Sequence, residues 1–239
     1  MYSIESFKKK VNMLHIELSD KQYNQYVTYY EMVVEKNKVM NLTGITEFDE
    51  FIDKHYIDSL SIVNAVDIHQ VQSAIDVGTG AGFPGVPLKI AFPELEACLL
   101  DSLNKRVKFL EETFALLGLE GISAIHGRAE EYAKNKAYRE KYDLCVSRAV
   151  SGLATLSEYC LPYVKVGGLF VSYKSGSVKE EAEAAEKAVK ILGGKIRDIQ
   201  YFDLPGSEIG RSLVIIEKVK NTPGKYPRKA GTPLREPLA

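Results

Sequence analysis

Tryptophan is absent from the 239 residues, and cysteine is scarce: Cys98, Cys145 and Cys160 are the three, none in Cys-x-x-Cys spacing. Without that spacing neither a dithiol redox centre nor a zinc ribbon is written into the chain. Two of the three fall in strand-like runs, so reduced core thiols are expected, as in a cytoplasmic protein. An excess of either charge is also missing, with 31 Lys and Arg against 32 Asp and Glu and a formal net charge of −1. Any nucleic-acid surface must therefore be local. No run of about 18 uninterrupted apolar residues occurs, and no apolar stretch near the N-terminus precedes a small-residue cleavage site. Membrane spanning and secretion are not expected. Internal repeats are lacking as well. What is present is a 45% hydrophobic composition, enough for one substantial core with a small appended subdomain.

The chain is organised around Ser73-Ala-Ile-Asp-Val-Gly-Thr-Gly-Ala-Gly-Phe-Pro-Gly85. Ala74 to Val77 is short, apolar and rich in branched residues, a buried strand. Gly78, Gly80, Gly82 and Gly85 permit a tight turn and close backbone approach to a ligand. Pro84 and Pro87 suit the first turn of a following helix, where a missing N–H costs little. Strand, turn and helix make a nucleotide-type pocket, with helix N–H groups expected to face the ligand. Three readings compete here. One is a glycine turn with no ligand. Gly80 to Gly85 also matches Gly-x-Gly-x-x-Gly, the dinucleotide pattern, but that match begins two residues beyond the first glycine. Asp76-x-Gly-x-Gly at a strand end resembles the first motif of class I S-adenosylmethionine (SAM) methyltransferases, and this reading is favoured.

Before that stretch the chain reads helical. Ser19-Asp20 offers an N-cap for Lys21 to Asn37, where Tyr23, Tyr26, Tyr30, Val33 and Val34 recur at helical spacing. Helix packing explains that stripe better than base stacking. Asn37 to Thr46 has turn composition, and Phe48 to Val63 is a second amphipathic run. His55 and Asp58, three apart, share a helix face, so a hydrogen bond between them is the economical account. No third ligand stands at suitable spacing, and no metal is expected. After Ser73, strands and helices alternate as in a doubly wound parallel sheet. Leu95 to Leu100, Ile122 to His126, Tyr142 to Ser147 and Gly168 to Tyr173 read as strands, with Asn104 to Leu117 and Val178 to Leu192 as helices. Lys195 to Leu204 and Arg211 to Val219 then form a hairpin. The expected fold is α/β: a Rossmann-like, mostly parallel seven-stranded sheet with a terminal antiparallel hairpin plus N-terminal helices, the plan of class I SAM-dependent methyltransferases. Three parts are expected: a helical subdomain (1–65), a SAM-binding domain (66–220) and a basic, proline-rich tail (221–239). The tail composition suits no core; it either stays solvated or lies on phosphates.

In such sheets ligands bind outside the carboxyl ends of the strands. Those ends hold Gly78 to Gly82, Asp101, Arg128-Ala129-Glu130, Arg148 and Lys174. Asp101, 21 residues after Gly80, is placed to accept from both ribose hydroxyls, in SAM or NAD alike. Glu130 either reads the adenine edge or simply favours a helix dipole. The end of the fourth strand reads Ser147-Arg-Ala-Val150. It lacks the Asp/Asn-Pro-Pro-aromatic signature of amine methylation, and neither Cys145 nor Cys160 sits where pyrimidine C5 methylation needs a nucleophile. Guanine N7 requires neither device, since its lone pair lies in the ring plane and it carries no proton to remove.

Taken together, Asn41-Leu-Thr-Gly-Ile-Thr46, His55-Tyr-Ile-Asp-Ser-Leu60, Asp76 to Gly85, Asp101-Ser-Leu-Asn-Lys-Arg106, Arg128-Ala-Glu130, Ser147 to Val150 and Lys225-Tyr-Pro-Arg-Lys-Ala-Gly-Thr-Pro233 resemble the bacterial RsmG (GidB) family. The resemblance implies a SAM-dependent methyltransferase acting on N7 of one guanosine in 16S ribosomal RNA. It carries the family's cofactor contacts onto Gly78, Gly80, Phe83, Ala129, Glu130 and Arg148, beside Asp101 read from its spacing. One departure is Lys36, where many relatives have tryptophan. Candidates for RNA contact are Arg148, Lys174, Lys225, Arg228 and Lys229, with Lys105 and Arg106 equally explained as a solvated helix face. No catalytic residue is assigned. Rival readings are a non-catalytic RNA-binding ribosome-assembly factor that keeps the fold, and a small-molecule methyltransferase or NAD enzyme.

Overall fold

The computed structural model describes residues 4–148 and 151–238. Ala149 and Val150, the second half of the expected motif at the end of the fourth strand, lie outside the described residues.

Helix α1 (Glu5–Met13) leads into α2 (Asp20–Met40). Ser19 starts α2 with a capping box: its hydroxyl accepts from the Gln22 N–H at 3.3 Å, and the Gln22 side chain accepts from the Ser19 N–H at 2.8 Å. Two orphan donors of the first turn are thereby satisfied. The tyrosine stripe is packing, as expected: Tyr23, Tyr26, Tyr29, Tyr30 and Val33 are all buried. Hydroxyls explain why tyrosine and not phenylalanine stands there. Tyr26 donates to Pro87 O at 2.7 Å and Tyr29 to Ala81 O at 2.6 Å, so α2 grips the glycine-rich turn and the helix behind it. Lys36, the departure from the family pattern, reaches Glu112 at 3.0 Å. The amphipathic run Phe48 to Val63 is not one regular helix. It is α3 (Phe48–Phe51), a π-helical stretch (Ile52–Ile57), α4 (Asp58–Leu60) and a 3-10 turn (Ser61–Asn64).

The sheet follows: β1 (Ser73–Val77), α5 (Gly85–Ala91), β2 (Glu96–Asp101), α6 (Asn104–Leu117), β3 (Ile122–His126), α7 (Ala129–Tyr132), β4 (Tyr142–Ser147), α8 (Leu153–Cys160), β5 (Val164–Ser175), α9 (Lys179–Ile191), β6 (Gly194–Asp203), β7 (Gly210–Lys218) and α10 (Thr232–Arg235). Strand order is β3-β2-β1-β4-β5-β7-β6. β1 to β5 pair in parallel, whereas β7 is antiparallel to both β5 and β6. The order reverses between β1 and β4, and such a switch point opens a crevice at the strands' carboxyl ends. One sheet face shares a core with the N-terminal helices, joining Tyr26, Tyr29 and Phe51 to Leu99 and Val146. The opposite face packs on α8 and α9, and all three unpaired cysteines are buried, at Cys98 on β2, Cys145 on β4 and Cys160 on α8. No helix among the described residues is long and apolar enough to cross a membrane.

The tail departs from its composition. Tyr226, Pro227 and Pro233 are buried, and Tyr226 joins the core of the second face. The expectation that this segment contributes to no core is corrected: a few anchored side chains suffice when the partners are supplied by the folded body.

Candidate functional site

The glycine-rich turn spends most of its N–H groups internally. Gly78 N and Thr79 N donate to Leu100 O at 2.9 and 3.2 Å, Gly82 N and Phe83 N to Thr79 O at 2.9 and 3.0 Å. Gly80 N donates to Asp101 Oδ2 and Gly85 N to Asp76 Oδ2, each at 2.9 Å. The expected row of helix N–H groups facing a ligand is therefore not what this turn offers, because the buried Asp76 carboxylate takes the first of them. The glycines divide by role. A Cβ at Gly82 would meet Val86 at 2.6 Å and the Tyr29 hydroxyl at 2.7 Å, and one at Gly85 would meet Leu99 at 2.9 Å. Those two serve packing. At Gly80 (φ +62°) a Cβ would touch nothing within 4 Å, so that glycine serves the turn's left-handed backbone, and the exposed Gly78 lines the crevice.

Beside them lies a cavity of about 390 Å³ lined by Gly78, Asp101, Arg106, Ala129, Glu130 and Arg148, with Gly231 and Leu234 from the tail. Asp101 is 4% exposed and already accepts three bonds: Gly80 N at 2.9 Å, Leu103 N at 2.8 Å and Arg106 Nη1 at 3.4 Å. A carboxylate has about four lone-pair sites, so taking both ribose hydroxyls requires release of the long Arg106 bond. Arg106 Nε is buried without a partner among the described residues. Glu130, also 4% exposed, accepts from Gly231 N at 2.8 Å through Oε1. The Ala129 carbonyl takes the Tyr163 hydroxyl at 2.7 Å.

Arg148 stands at the end of β4 and gathers motifs that lie far apart in the chain. Its Nη1 donates to Asp58 Oδ2 at 2.8 Å and to Lys54 O at 3.0 Å, and its Nη2 donates to His55 Nδ1 at 3.1 Å. Asp58 Oδ1 accepts from Arg211 Nε at 2.8 Å, so one carboxylate serves two guanidinium groups. An arginine only donates; His55 Nδ1 is therefore the acceptor and Nε2 carries the proton, which goes to Thr43 Oγ1 at 2.7 Å. Burial first, then Arg148 and Lys54, pushes the imidazole down to about 3, and it stays neutral. The ring stacks on Phe83 at 4.4 Å with an 8° tilt, and Arg148 lies 5.0 Å from the Phe83 centroid. The expected His55–Asp58 bond is replaced by a shared partner, Arg148. The π-helical stretch between Ile52 and Ile57 carries His55 into this cluster, as such irregularities often do at functional positions.

A second cavity, about 570 Å³, opens on the other side of Arg148, lined by His55, Asp58, Lys174, Glu181 and Arg211 among others. Arg148 and Ser151 line both cavities. The sequence-derived cofactor residues Gly78, Asp101, Ala129, Glu130 and Arg148 come together at the first cavity, with Gly80 bonded to Asp101. Phe83 is 6% exposed beneath His55 and Arg148 and shapes the site through them. The basic candidates do not form one patch. Lys174 is spent on Glu181 and Ser151 O at 2.7 and 2.9 Å, and Arg228 on the buried Glu158. Lys225 and Lys229 are exposed. Sequence reasoning missed Arg211, Glu181 and Glu158, which bear no local motif; their only signal is a charge beside the end of a strand or helix. Among the described residues no group of three or more His, Cys, Asp or Glu could hold a metal ion.

The family GidB, described as rRNA small subunit methyltransferase G, matches residues 22–209. A ribosomal RNA small subunit methyltransferase G of Lachnoclostridium phytofermentans is 51% identical over 98% of this chain and 96% of its own. That of Clostridium novyi is 50% identical over 93% and 92%. Among solved structures, one of a putative O-methyltransferase from Klebsiella pneumoniae superposes with a TM-score of 0.54 at 13% identity, covering 80% of this chain and 90% of that one, a likeness of fold.

Proposed function

The chain belongs to the rRNA small subunit methyltransferase G family, and from that premise we propose that it moves the methyl group of S-adenosylmethionine to N7 of a guanosine in 16S ribosomal RNA. The observation that carries this reading is the pair of cavities meeting at Arg148 and Ser151. The donor supplies a methyl group on a sulfonium, open to an in-line attack by an unhindered lone pair. The residues present fit it: exposed backbone at Gly78, with Gly80 bonded to the neighbouring Asp101, a buried acid at Asp101 for the ribose, and Ala129 with Glu130 beyond for the adenine.

The second cavity suits the acceptor base. His55 has both ring nitrogens committed, and the Asp58 carboxylate is held between the Arg148 and Arg211 guanidinium groups, so this cluster orients side chains and offers no ready base for a substrate proton. A nucleophile with a bare ring nitrogen asks for none. Methylation at N7 leaves the purine with a positive charge; the two carboxylates on the cavity wall, Asp58 and Glu181, are each already paired with cations and keep the lining from being wholly basic. Arg148, fixed by three acceptors and by the face of Phe83, orients the boundary between donor and base. The exposed Lys225 and Lys229 are available to RNA phosphates. A ribosomal substrate places the enzyme in the cytoplasm.

The test is methyl transfer from labelled donor to 16S ribosomal RNA from cells lacking this protein, followed by nucleoside analysis. Label in 7-methylguanosine at one position is expected. Label in another nucleoside, or none, would overturn the assignment.

A further inference from the structure

The family match spans residues 22–209, short of the tail beyond Asn221. Its course is nonetheless fixed. Arg139 donates to Thr222 O at 2.7 Å and to Tyr226 O at 3.0 Å, which brings the chain round to α8. There Glu158, fully buried, receives Arg228 three ways: from Nη2 to Oε2 at 2.7 Å, from Nε to Oε1 at 3.0 Å, and from the backbone N–H to Oε1 at 2.7 Å. This is a charge-assisted, two-pronged grip, geometrically specific in a way a lysine could not be. Beyond it, Thr155 Oγ1 donates to Pro233 O at 3.1 Å and Gly231 N donates to Glu130 at 2.8 Å. Gly231 and Leu234 then line the smaller cavity. Leu234 is 61% exposed, a large apolar side chain at the cavity rim.

We propose that residues 226–235 form a wall of the adenosine subsite, held in place by the Arg228–Glu158 pair. The proposal rests on the reading of the smaller cavity as the SAM site and assigns Arg228 and the inward side of the tail to the donor, leaving only the exposed Lys225 and Lys229 to RNA. Two consequences follow from the geometry. Glu130 has one oxygen turned to Gly231, which sets the carboxylate so that Oε2 remains for an amine on the ligand edge. Arg228 has Nε and Nη2 committed, so it is a positioning residue and cannot also clamp a phosphate with its fork.

The experiment is calorimetric titration of S-adenosylmethionine into the full-length wild type, Arg228→Ala, Arg228→Lys and Leu234→Ala. It is paired with hydrogen exchange of the 226–235 amides with and without the donor. When the binding-competent arrangement is only a fraction of the population, apparent Kd rises by the inverse of that fraction, so Arg228→Ala is expected to weaken binding about tenfold and Leu234→Ala about threefold. Arg228→Lys should recover little of the loss, the ratio of donor KM to RNA KM should rise, and donor should slow exchange in the tail. Wild-type affinity in both alanine variants, or tail exchange indifferent to donor, overturns the proposal. Should Arg228→Ala fail to fold, Leu234→Ala and the exchange data decide alone. A wild type that binds no donor overturns the reading of the cavity itself, a result distinct from intact binding in the variants.

Discussion

Replacing Asp76 with asparagine should shift the balance of stability towards the variant by about 2–3 kcal/mol between pH 4 and pH 7.5. Asp76 is 2% exposed under the glycine-rich turn. Its Oδ2 takes the Thr79 hydroxyl at 2.6 Å and the Gly85 N–H at 2.9 Å, while Oδ1 has no partner among the described residues. Burial outweighs those two bonds and raises the carboxyl from 3.8 to about 6. The folded state then holds this proton more tightly than the unfolded chain does. Stability from the group is complete below the unfolded value and is lost as pH climbs through the folded one, between about pH 4 and pH 6. A rise of about two pH units at 1.36 kcal/mol each gives the quoted figure. Asparagine keeps an oxygen for Thr79 and Gly85 and never ionises, so its own contribution is flat. Its amide nitrogen replaces the unpartnered oxygen, at a cost of about 1–3 kcal/mol that does not vary with pH. The variant is thus expected to be the weaker protein at pH 4 and to match or exceed the wild type at pH 7.5. Urea titrations of both proteins at the two pH values, extrapolated linearly, measure the difference. A gap that stays constant, or that moves against the variant as pH rises, refutes the account of Asp76.

Two further outcomes concern the cluster around Arg148. Asp58→Asn leaves two guanidinium groups facing an amide, so thermal or urea unfolding should show a loss of about 2–3 kcal/mol with methyl transfer at least tenfold slower; wild-type values for both would remove Asp58 from its bracing role. His55, pressed down to about 3 by burial and by the cations beside it, should show no ring titration by NMR between pH 8 and pH 5, and a midpoint near 6.5 would contradict the hydrogen-bond assignment made for it.

Much of the scaffold was legible because local pattern and tertiary demand agree. Asn104–Leu117, Ile122–His126 and Tyr142–Ser147 appear with the bounds that periodicity and strand composition indicate. Composition indicates β5 only over Gly168 to Tyr173, but the strand runs Val164–Ser175, with a register shift between Tyr142 and Leu144 where β4 pairs with it. Glycine-rich sequence signals an interruption, yet a neighbouring strand can carry the ladder across it. The break inside the run Phe48 to Val63 is invisible for a related reason. Its apolar spacing is helical throughout, and the π-helical turn accompanies contacts with Thr43, Phe83 and Arg148 that no local window contains.

The same distinction separates the parts of the site that were read from those that were missed. Asp101 and the glycine turn announce themselves by position at strand ends, a local property. Glu158 and Arg228 are separated by 70 positions, Asp58 and Arg211 by 153. Each of these charges has an adequate solvated explanation when taken alone, and composition therefore assigns the tail to solvent or to phosphate. Burial reverses that assignment for Arg228. A fully buried carboxylate without a counter-charge costs far more than an exposed arginine gains, so Glu158 on α8 draws the guanidinium inward and the tail with it. The exposed lysines on either side, Lys225 and Lys229, are left with the role the whole segment was expected to share. One basic tail thus carries two chemistries, an inward-facing arginine fixed beside the donor cavity and outward-facing ammonium groups available to a polyanion.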